Sequence, residues 1–158
     1  MDLSQTLFSW DVAMTAGYSK SPLSKKLGIK EGSKVALFGA PAEYASWLEA
    51  LPDDVKFQKN VTGDTHLVHL FVVDQDKLKS QLERLRNKID ERAAIWVSWP
   101  KKTSKVATTV TEDGIREIAL PLGFVDIKVC AVTDVWSGLK LVIRQEYRKK
   151  ATMEGNKA

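Results

Sequence analysis

Residues 94–102, Ala-Ile-Trp-Val-Ser-Trp-Pro-Lys-Lys, are the stretch that decides the fold. Five of the six residues from Ala94 to Trp99 are apolar, a pattern that predicts a strand buried on both faces, as in a parallel sheet covered by helices. Successive side chains on a strand alternate between its faces, so Trp96 and Trp99 are expected on opposite sides of the sheet. At most one of them can face a ligand cleft, and two core tryptophans are the simpler interpretation.

A basic loop follows this strand. Pro100 cannot donate a ladder hydrogen bond and therefore predicts the end of the strand. Lys101, Lys102 and Lys105 come next, and no acidic residue follows until Glu112. The carboxyl end of the strand is therefore positive, which suits an anionic ligand.

The composition indicates one domain with a substantial core. The chain has 158 residues, a formal net charge of +4 and one cysteine, Cys130, which lies in an apolar run. One cysteine excludes a disulfide framework, so a buried thiol is expected. The positive charge is spread over both halves of the chain, and it permits an anionic ligand without forming the concentrated basic surface of a nucleic-acid-binding protein.

Nothing in the sequence indicates a membrane protein. No apolar run is long enough to span a bilayer, and the first residues, with Asp2 and Asp11 and no basic segment, do not resemble a signal peptide. We therefore expect a cytoplasmic protein without a membrane partner.

Strand patterns alternate with helical patterns along the chain. The predicted strands are 34–38, 55–58, 67–73 and 94–99, and the predicted helices are 42–51, 76–89 and 112–122. Thr111 is expected to cap the last of these helices. The runs 124–132 and 135–144 are too close in sequence for a parallel crossover, so they must form an antiparallel hairpin. The sequence thus predicts a single Rossmann-like, three-layer α/β domain with a mostly parallel sheet and a C-terminal antiparallel hairpin.

This domain is predicted to cover residues 17–148. Residues 1–16 form an N-terminal extension with an apolar stripe at helical spacing, which is too short to be stable alone. It is expected to dock on its own domain, to dock on a second copy in a homodimer, or to remain a disordered leader. Residues 149–158 are a basic, polar tail that is predicted to be disordered.

One loop, two histidines and one glycine allow further predictions. Gly39-Ala40-Pro41 precedes the predicted helix 42–51, and such a loop presents free backbone N–H groups where phosphates and carboxylates bind. A plain strand-to-helix turn is the simpler alternative, because one glycine does not make a dinucleotide fingerprint. His66 and His69 are expected on opposite faces of a strand, so no metal site is predicted. Gly138 predicts a bulge or a close approach by another backbone or a ligand.

Several short motifs resemble those of a family of small bacterial proteins that share a domain of unknown function. The resemblance covers about residues 17–148 and implies no known activity. The motifs are Gly17-Tyr18-Ser19, Pro22-Leu23, Lys26-Leu27-Gly28, Leu67-Val68-His69-Leu70-Phe71, Trp96-Val97-Ser98-Trp99-Pro100-Lys101-Lys102 and Val135-Trp136-Ser137-Gly138-Leu139-Lys140.

The order of elements, with a closing hairpin introduced by Leu122-Gly123-Phe124, also resembles the carboxyl half of class I S-adenosylmethionine-dependent methyltransferases. This second resemblance implies S-adenosylmethionine as the cofactor. In that family a glycine-rich loop follows the first strand, and an acidic residue at the end of the second strand holds the ribose. The corresponding residues here are Gly39-Ala40-Pro41 and Gln58-Lys59.

Three functional hypotheses follow. The first is a non-catalytic domain that binds a small anionic or nucleotide-like ligand at the carboxyl edge of its sheet, where open α/β sheets keep their ligand clefts. The second is a divergent S-adenosylmethionine-dependent methyltransferase, in which Asp74 and His69 are the evident bases. The third is a nucleic-acid or protein-binding module that uses the basic surface Lys101, Lys102, Lys105, Arg148, Lys149 and Lys150. The predicted ligand-binding residues are Gly39, Ala40, Pro41, Asp74, Trp99, Lys101, Lys102, Trp136 and Lys140.

Overall fold

A computed structural model describes residues 22–48 and 50–148 of the chain. The predicted extension, residues 1–16, and the predicted tail, residues 149–158, lie outside these ranges. The homodimer expected through the extension therefore stays a prediction. None of the described helices is long and apolar enough to cross a membrane.

Six strands form one sheet in the order β2-β1-β3-β4-β6-β5. The first four strands pair in parallel, and the last two form an antiparallel hairpin whose second strand pairs with β4. The strands are β1 Lys34–Phe38, β2 Lys56–Gln58, β3 Leu67–Phe71, β4 Ala94–Pro100, β5 Phe124–Ala131 and β6 Trp136–Ile143. This arrangement confirms the predicted single α/β domain with a mostly parallel sheet and a C-terminal hairpin.

Helices cover both faces of the sheet. The helices are α1 Leu23–Leu27, α2 Gln75–Arg86 and α3 Glu112–Ala119, and short 3-10 turns occupy Tyr44–Trp47, Lys102–Ser104, Leu120–Leu122 and Gln145–Tyr147. On one face, α2 and α3 pack on a core that includes Trp99. On the other face, α1 and the turn Tyr44–Trp47 pack on a core that includes Trp96. The two tryptophans thus lie on opposite sides of β4, as the strand alternation predicts, and both are buried.

The two longer helices each begin at a side-chain cap, and the cap at Thr111 is the one that the sequence predicts. The carboxylate of Asp74 accepts a hydrogen bond from the backbone N–H of Lys77 at 3.0 Å and so caps α2. The hydroxyl of Thr111 accepts one from the backbone N–H of Gly114 at 3.0 Å and caps α3. Each helix then buries an apolar face against the sheet, which includes Leu78, Leu82 and Leu85 of α2 and Ile115 and Ala119 of α3.

The predicted helix 42–51 is wrong, because the chain makes a single 3-10 turn there. Leu48 has φ −107° and ψ 62°, outside the helical region, so the turn ends after Trp47. That one turn already buries Tyr44 and Leu48, while Ala45 between them stays exposed. Pro52 also disfavours helical backbone at the residue before it. The local apolar spacing predicted a helix, but the 3-10 turn is enough to bury these apolar side chains.

Gly138 is the site of a close approach, but the approaching group is a side chain. A Cβ on Gly138 would lie 3.1 Å from a carbon of the Trp96 ring and 3.1 Å from a methyl group of Val132. The irregularity in the hairpin register lies instead between Asp126 and Lys128 of β5. The missing side chain on Gly138 therefore makes room for Trp96, and no bulge is needed at this position.

Candidate ligand site at the carboxyl edge of the sheet

The carboxyl ends of β1, β3 and β4 meet at one edge of the sheet, because these strands are parallel neighbours. Gly39, Asp74 and Lys101 follow these strands and lie along that edge. The antiparallel β6 starts there with Trp136, which is paired with Pro100. The structure thus places Gly39, Asp74, Lys101 and Trp136 along one edge, whereas Lys140 lies in the middle of β6 as the partner of Trp96.

A cleft of about 490 Å³ opens between the end of β4, the basic loop and the first turn of α3. Its volume falls in the range of small-molecule sites. The cleft is lined by Trp99, Pro100, Lys101, Lys102, Thr108, Val110, Thr111, Glu112, Asp113 and Ser137. Three of the predicted ligand-binding residues, Trp99, Lys101 and Lys102, therefore share one concave surface.

Hydrogen bonds fix the outer wall of this cleft to the connection between β3 and α2. The hydroxyl of Thr108 and the backbone N–H of Thr109 both donate to the carbonyl oxygen of Val73, each at 2.9 Å. The hydroxyl of Thr109 in turn accepts a hydrogen bond from the backbone N–H of Gln75 at 2.8 Å. The loop is thus held at three points, so the cleft has a defined shape.

Arg116 pairs with both carboxylates that line the cleft and offsets part of their negative charge. Its guanidinium forms ion pairs with Glu112 and Asp113, and its Nε donates to Asp126 of β5 at 2.9 Å. The hydrogen bond from Arg116 holds the pKa of Asp126 below its usual value. Among the described residues, no carboxylate forms an ion pair with Lys102. The ammonium group of Lys102 is therefore not balanced by an ion pair within the described part of the chain.

The sheet separates Trp136 and Lys140 from Trp99. Trp136 packs against the core that includes Trp96, and Lys140 is the register partner of Trp96, so both lie on the face opposite to Trp99. The Trp136 ring packs edge-on against Phe71, with 5.0 Å between the ring centres. The predicted site residues thus fall into two groups on opposite faces, which the sequence alternation alone did not indicate.

The Gly39-Ala40-Pro41 turn is shaped by packing against β3. Gly39 has φ +71°, and a Cβ on it would lie 2.8 Å from the carbonyl oxygen of Phe71. Only glycine fits such a conformation beside another backbone. A four-residue 3-10 turn follows in place of the predicted helix, so the helix amino terminus on which the predicted anion site depends is missing here.

A buried polar chain across β3 and β4 is a feature that the sequence reasoning missed. His69 accepts or donates hydrogen bonds at both ring nitrogens, with Nδ1 2.8 Å from the hydroxyl of Tyr44 and Nε2 2.8 Å from the hydroxyl of Ser98. Burial lowers the pKa of His69 to about 3 and raises the pKa of Tyr44 above its usual value. Polar side chains buried inside apolar strands require hydrogen-bond partners. The presence of His69 and Ser98 in two such strands could therefore have indicated that they bond to each other.

The residues at the methyltransferase-like cofactor position do not fit S-adenosylmethionine in the way the resemblance implies. The side-chain oxygen of Gln58 at the end of β2 accepts a hydrogen bond from the Thr65 hydroxyl at 2.8 Å, and an exposed cation, Lys59, follows it. Neither residue supplies the carboxylate expected to hold a ribose. The loop after β1 has a single glycine, Gly39, and its backbone lies so close to Phe71 that a Cβ would be 2.8 Å from the Phe71 carbonyl oxygen.

Comparison with known proteins identifies the type of fold. No family model and no curated protein matches the chain, so the resemblance to a family of small bacterial proteins stays a prediction. An S-adenosylmethionine-dependent methyltransferase from Aquifex aeolicus is similar, with a TM-score of 0.58 and 13% identity over 76% of this chain and 87% of that chain.

Two further solved structures are similar. Aeropyrum pernix fibrillarin, with natively bound S-adenosylmethionine, has a TM-score of 0.52 and 11% identity over 84% of this chain and 73% of that chain. A TehB-like methyltransferase from Corynebacterium glutamicum has a TM-score of 0.51 and 9% identity over 85% and 94%. At such identities the likeness establishes the fold alone, and the chain has a methyltransferase-like, Rossmann-type α/β fold.

Proposed function

We propose that this chain is a non-catalytic, Rossmann-like domain that binds a small anionic ligand in the cleft at the carboxyl end of β4. The observation that carries the proposal is the charge of the cleft: Lys101 and Lys102 line it, while its two carboxylates already pair with Arg116. An anion that enters the cleft beside the basic loop meets the ammonium group of Lys102, with which no carboxylate of the described residues forms an ion pair. Charge-assisted hydrogen bonds from lysine to phosphate or carboxylate are among the stronger polar contacts in proteins.

Neutral donors complete the site. Ser137 is half-buried at the cleft wall, as the register partner of Trp99. The Thr111 oxygen accepts the capping hydrogen bond of α3, which leaves its hydroxyl hydrogen to donate. Trp99 supplies apolar surface to the cleft. A few convergent polar groups on an apolar wall are typical of small-molecule sites.

The non-catalytic part of the proposal rests on the positions of the residues that could act as a general base. Among the described residues that line the cleft there is no histidine or cysteine. His69 lies in the core with both ring nitrogens hydrogen-bonded, and the carboxylate of Asp74 caps α2. A general base must reach the proton that it removes, and neither candidate base from the sequence faces the cleft.

The methyltransferase hypothesis is the alternative, and its support is the fold of similar solved structures, one of them with S-adenosylmethionine bound. The hypothesis of a nucleic-acid or protein partner rests on the basic loop. The three hypotheses predict different ligands. They can therefore be separated by identifying what binds.

The first experiment is native mass spectrometry of freshly purified protein, which detects a retained small molecule by its added mass. Anions and S-adenosylmethionine are then screened for an increase in melting temperature. A ligand at 100 times its dissociation constant stabilises the folded state by about 2.7 kcal/mol, which raises the melting temperature of a domain of this size by about 5–10 °C.

Lys102→Ala and the double variant Lys101→Ala with Lys102→Ala should abolish this increase and leave the melting temperature of the unliganded protein nearly unchanged. Lys77→Ala, which removes one exposed lysine from α2, is the matched control and should retain the increase. A double variant that binds the anion as tightly as the parent would overturn the proposal. Transfer of a methyl group from S-adenosylmethionine would favour the enzyme hypothesis.

A further inference from the structure

Four lysines lie together on the face of the sheet opposite to the cleft. Lys26 belongs to α1 and Lys30 follows it, while Lys128 and Lys140 are register partners on β5 and β6. The Nζ of Lys128 donates a hydrogen bond to the carbonyl oxygen of Lys26 at 3.2 Å, and the Nζ of Lys26 donates one to the carbonyl oxygen of Ala131 at 3.5 Å. These bonds join α1 to the hairpin. We refer to the four residues as the lysine cluster.

Lys140 is a half-buried member of the cluster. Its Nζ lies 6.0 Å from the centre of the Trp96 ring and 3.4 Å from the position that a Cβ would occupy on Gly28. The absence of a side chain on Gly28 thus leaves space beside the ammonium group. Burial lowers the pKa of Lys140, and the charges of Lys128 and Lys30 lower it further. The ammonium groups of Lys128 and Lys30 are therefore close enough to Lys140 to repel its charge.

No carboxylate of residues 22–48 and 50–148 forms an ion pair with any member of the lysine cluster. An ammonium group carries three donors, and the two backbone hydrogen bonds use one donor of Lys26 and one of Lys128. The cluster therefore combines unbalanced positive charge with several donors that remain for a ligand. An anion bound there would relieve the repulsion among the lysines.

We propose that the lysine cluster binds a compact polyphosphate group, meaning two or more linked phosphates carried by a small molecule. Linked phosphates bring several negative charges within the span of side chains from α1 and the hairpin, whereas one carboxylate would balance a single lysine. Lysine binds phosphate as a point charge and does not require the planar geometry of arginine. The site does not depend on the cleft of the proposed function, because the sheet lies between Lys140 and Trp99.

Inorganic tripolyphosphate is a suitable probe, and its affinity can be measured by calorimetry at low and moderate salt. Lys140→Met, which keeps the aliphatic contact with Trp96, should weaken binding by about tenfold or more. The double variant Lys30→Gln with Lys128→Gln should weaken it at least as much. Lys25→Gln is the matched control, because it removes an exposed lysine of α1 that is outside the cluster, and it should change the affinity by less than about twofold.

A second readout follows the Lys140 side chain by NMR. Bound polyphosphate favours the charged ammonium, so it should raise the pKa of Lys140 above that of the free protein. Lys102→Ala should leave both readouts unchanged, and this result separates the cluster from the cleft. Equal losses in Lys25→Gln and Lys140→Met would overturn the proposal, because they would indicate a diffuse charge effect. Lys140-dependent binding of a single-stranded oligonucleotide that is tighter than binding of tripolyphosphate would overturn it in favour of a nucleic-acid surface.

Discussion

The indole N–H of Trp96 donates a hydrogen bond to the backbone carbonyl oxygen of Leu27 at 2.8 Å. This bond joins the central strand β4 to the end of α1, although the two residues are 69 positions apart in the chain. The Trp96 ring has no exposed surface, and Gly138 on the neighbouring strand packs against it. The ring is thus a central element of the core on the α1 side of the sheet.

Replacing Trp96 should strongly destabilise the fold. We expect Trp96→Ala to lower the free energy of unfolding by about 3–5 kcal/mol, because it leaves a large cavity in a closely packed core. Trp96→Phe should be less destabilising, by about 1–3 kcal/mol, because it mainly leaves the Leu27 carbonyl without its donor. Urea unfolding monitored by circular dichroism measures both values. A loss below about 1 kcal/mol for Trp96→Ala would show that the ring is not packed as described.

Gly138→Ala should be destabilising although it adds only a methyl group. The new Cβ would be 3.1 Å from the Trp96 ring, and overpacking of a rigid core destabilises by about 1–3 kcal/mol. Gly63→Ala is the matched control, because a Cβ on Gly63 has no neighbour within 4 Å. The free energies of unfolding of the two variants should differ by more than about 1 kcal/mol. Equal values would contradict the close approach of Trp96.

The strands and capped helices could be predicted because short-range patterns decide them. The apolar run 94–99 indicated a buried strand, and Thr111 before two acidic residues indicated a helix start. The helix at 42–51 was predicted wrongly because the conformation there depends on distant contacts. The Tyr44 hydroxyl bonds to His69 on β3, and no local apolar spacing encodes that partner.

The composition of the cleft was predictable only in part, for a similar reason. Strand alternation assigned Trp96 and Trp99 to different faces of the sheet. It could not show whether a given hairpin residue lies on the face of Trp96 or on the face of Trp99. That depends on the register of β6 against β4, in which Lys140 is paired with Trp96. Register is set by the hairpin as a whole. Residues 101–102 could therefore be associated with Trp99 from sequence, whereas Lys140 could not be assigned to the opposite face.

Cys130 should react slowly with alkylating reagents. Burial raises the pKa of its thiol, and the charges of Lys26 and Lys128 act in the opposite direction. Because the thiolate is the reactive form, iodoacetamide at pH 7.5 should modify the native protein severalfold more slowly than the urea-unfolded protein. Lys128→Gln should slow the reaction further, while Lys25→Gln should not. Faster alkylation in Lys128→Gln than in the parent would contradict the electrostatic role of Lys128.

The buried His69 should make stability depend on pH below neutrality. Its pKa is about 3 in the folded state because of burial, against about 6.5 in an unfolded chain. Between these values the unfolded state binds the proton and the folded state does not. The contribution of His69 is therefore fully present above pH 6.5 and is lost as the pH falls towards 3, by at most about 1.4 kcal/mol for each pH unit.

Urea unfolding of the parent and of His69→Gln between pH 7 and pH 4.5 isolates this contribution, because the carboxylates are the same in both proteins. His69→Gln should be less stable at pH 7, since Gln cannot reproduce both ring contacts, and it should lose less stability than the parent on acidification. Tyr44→Phe is the control for the cause of the shift. It removes one hydrogen bond of His69 but keeps the ring buried, so it should lower stability while retaining the pH dependence of the parent. If Tyr44→Phe loses that dependence as His69→Gln does, the hydrogen bond and not burial determines the pKa of His69.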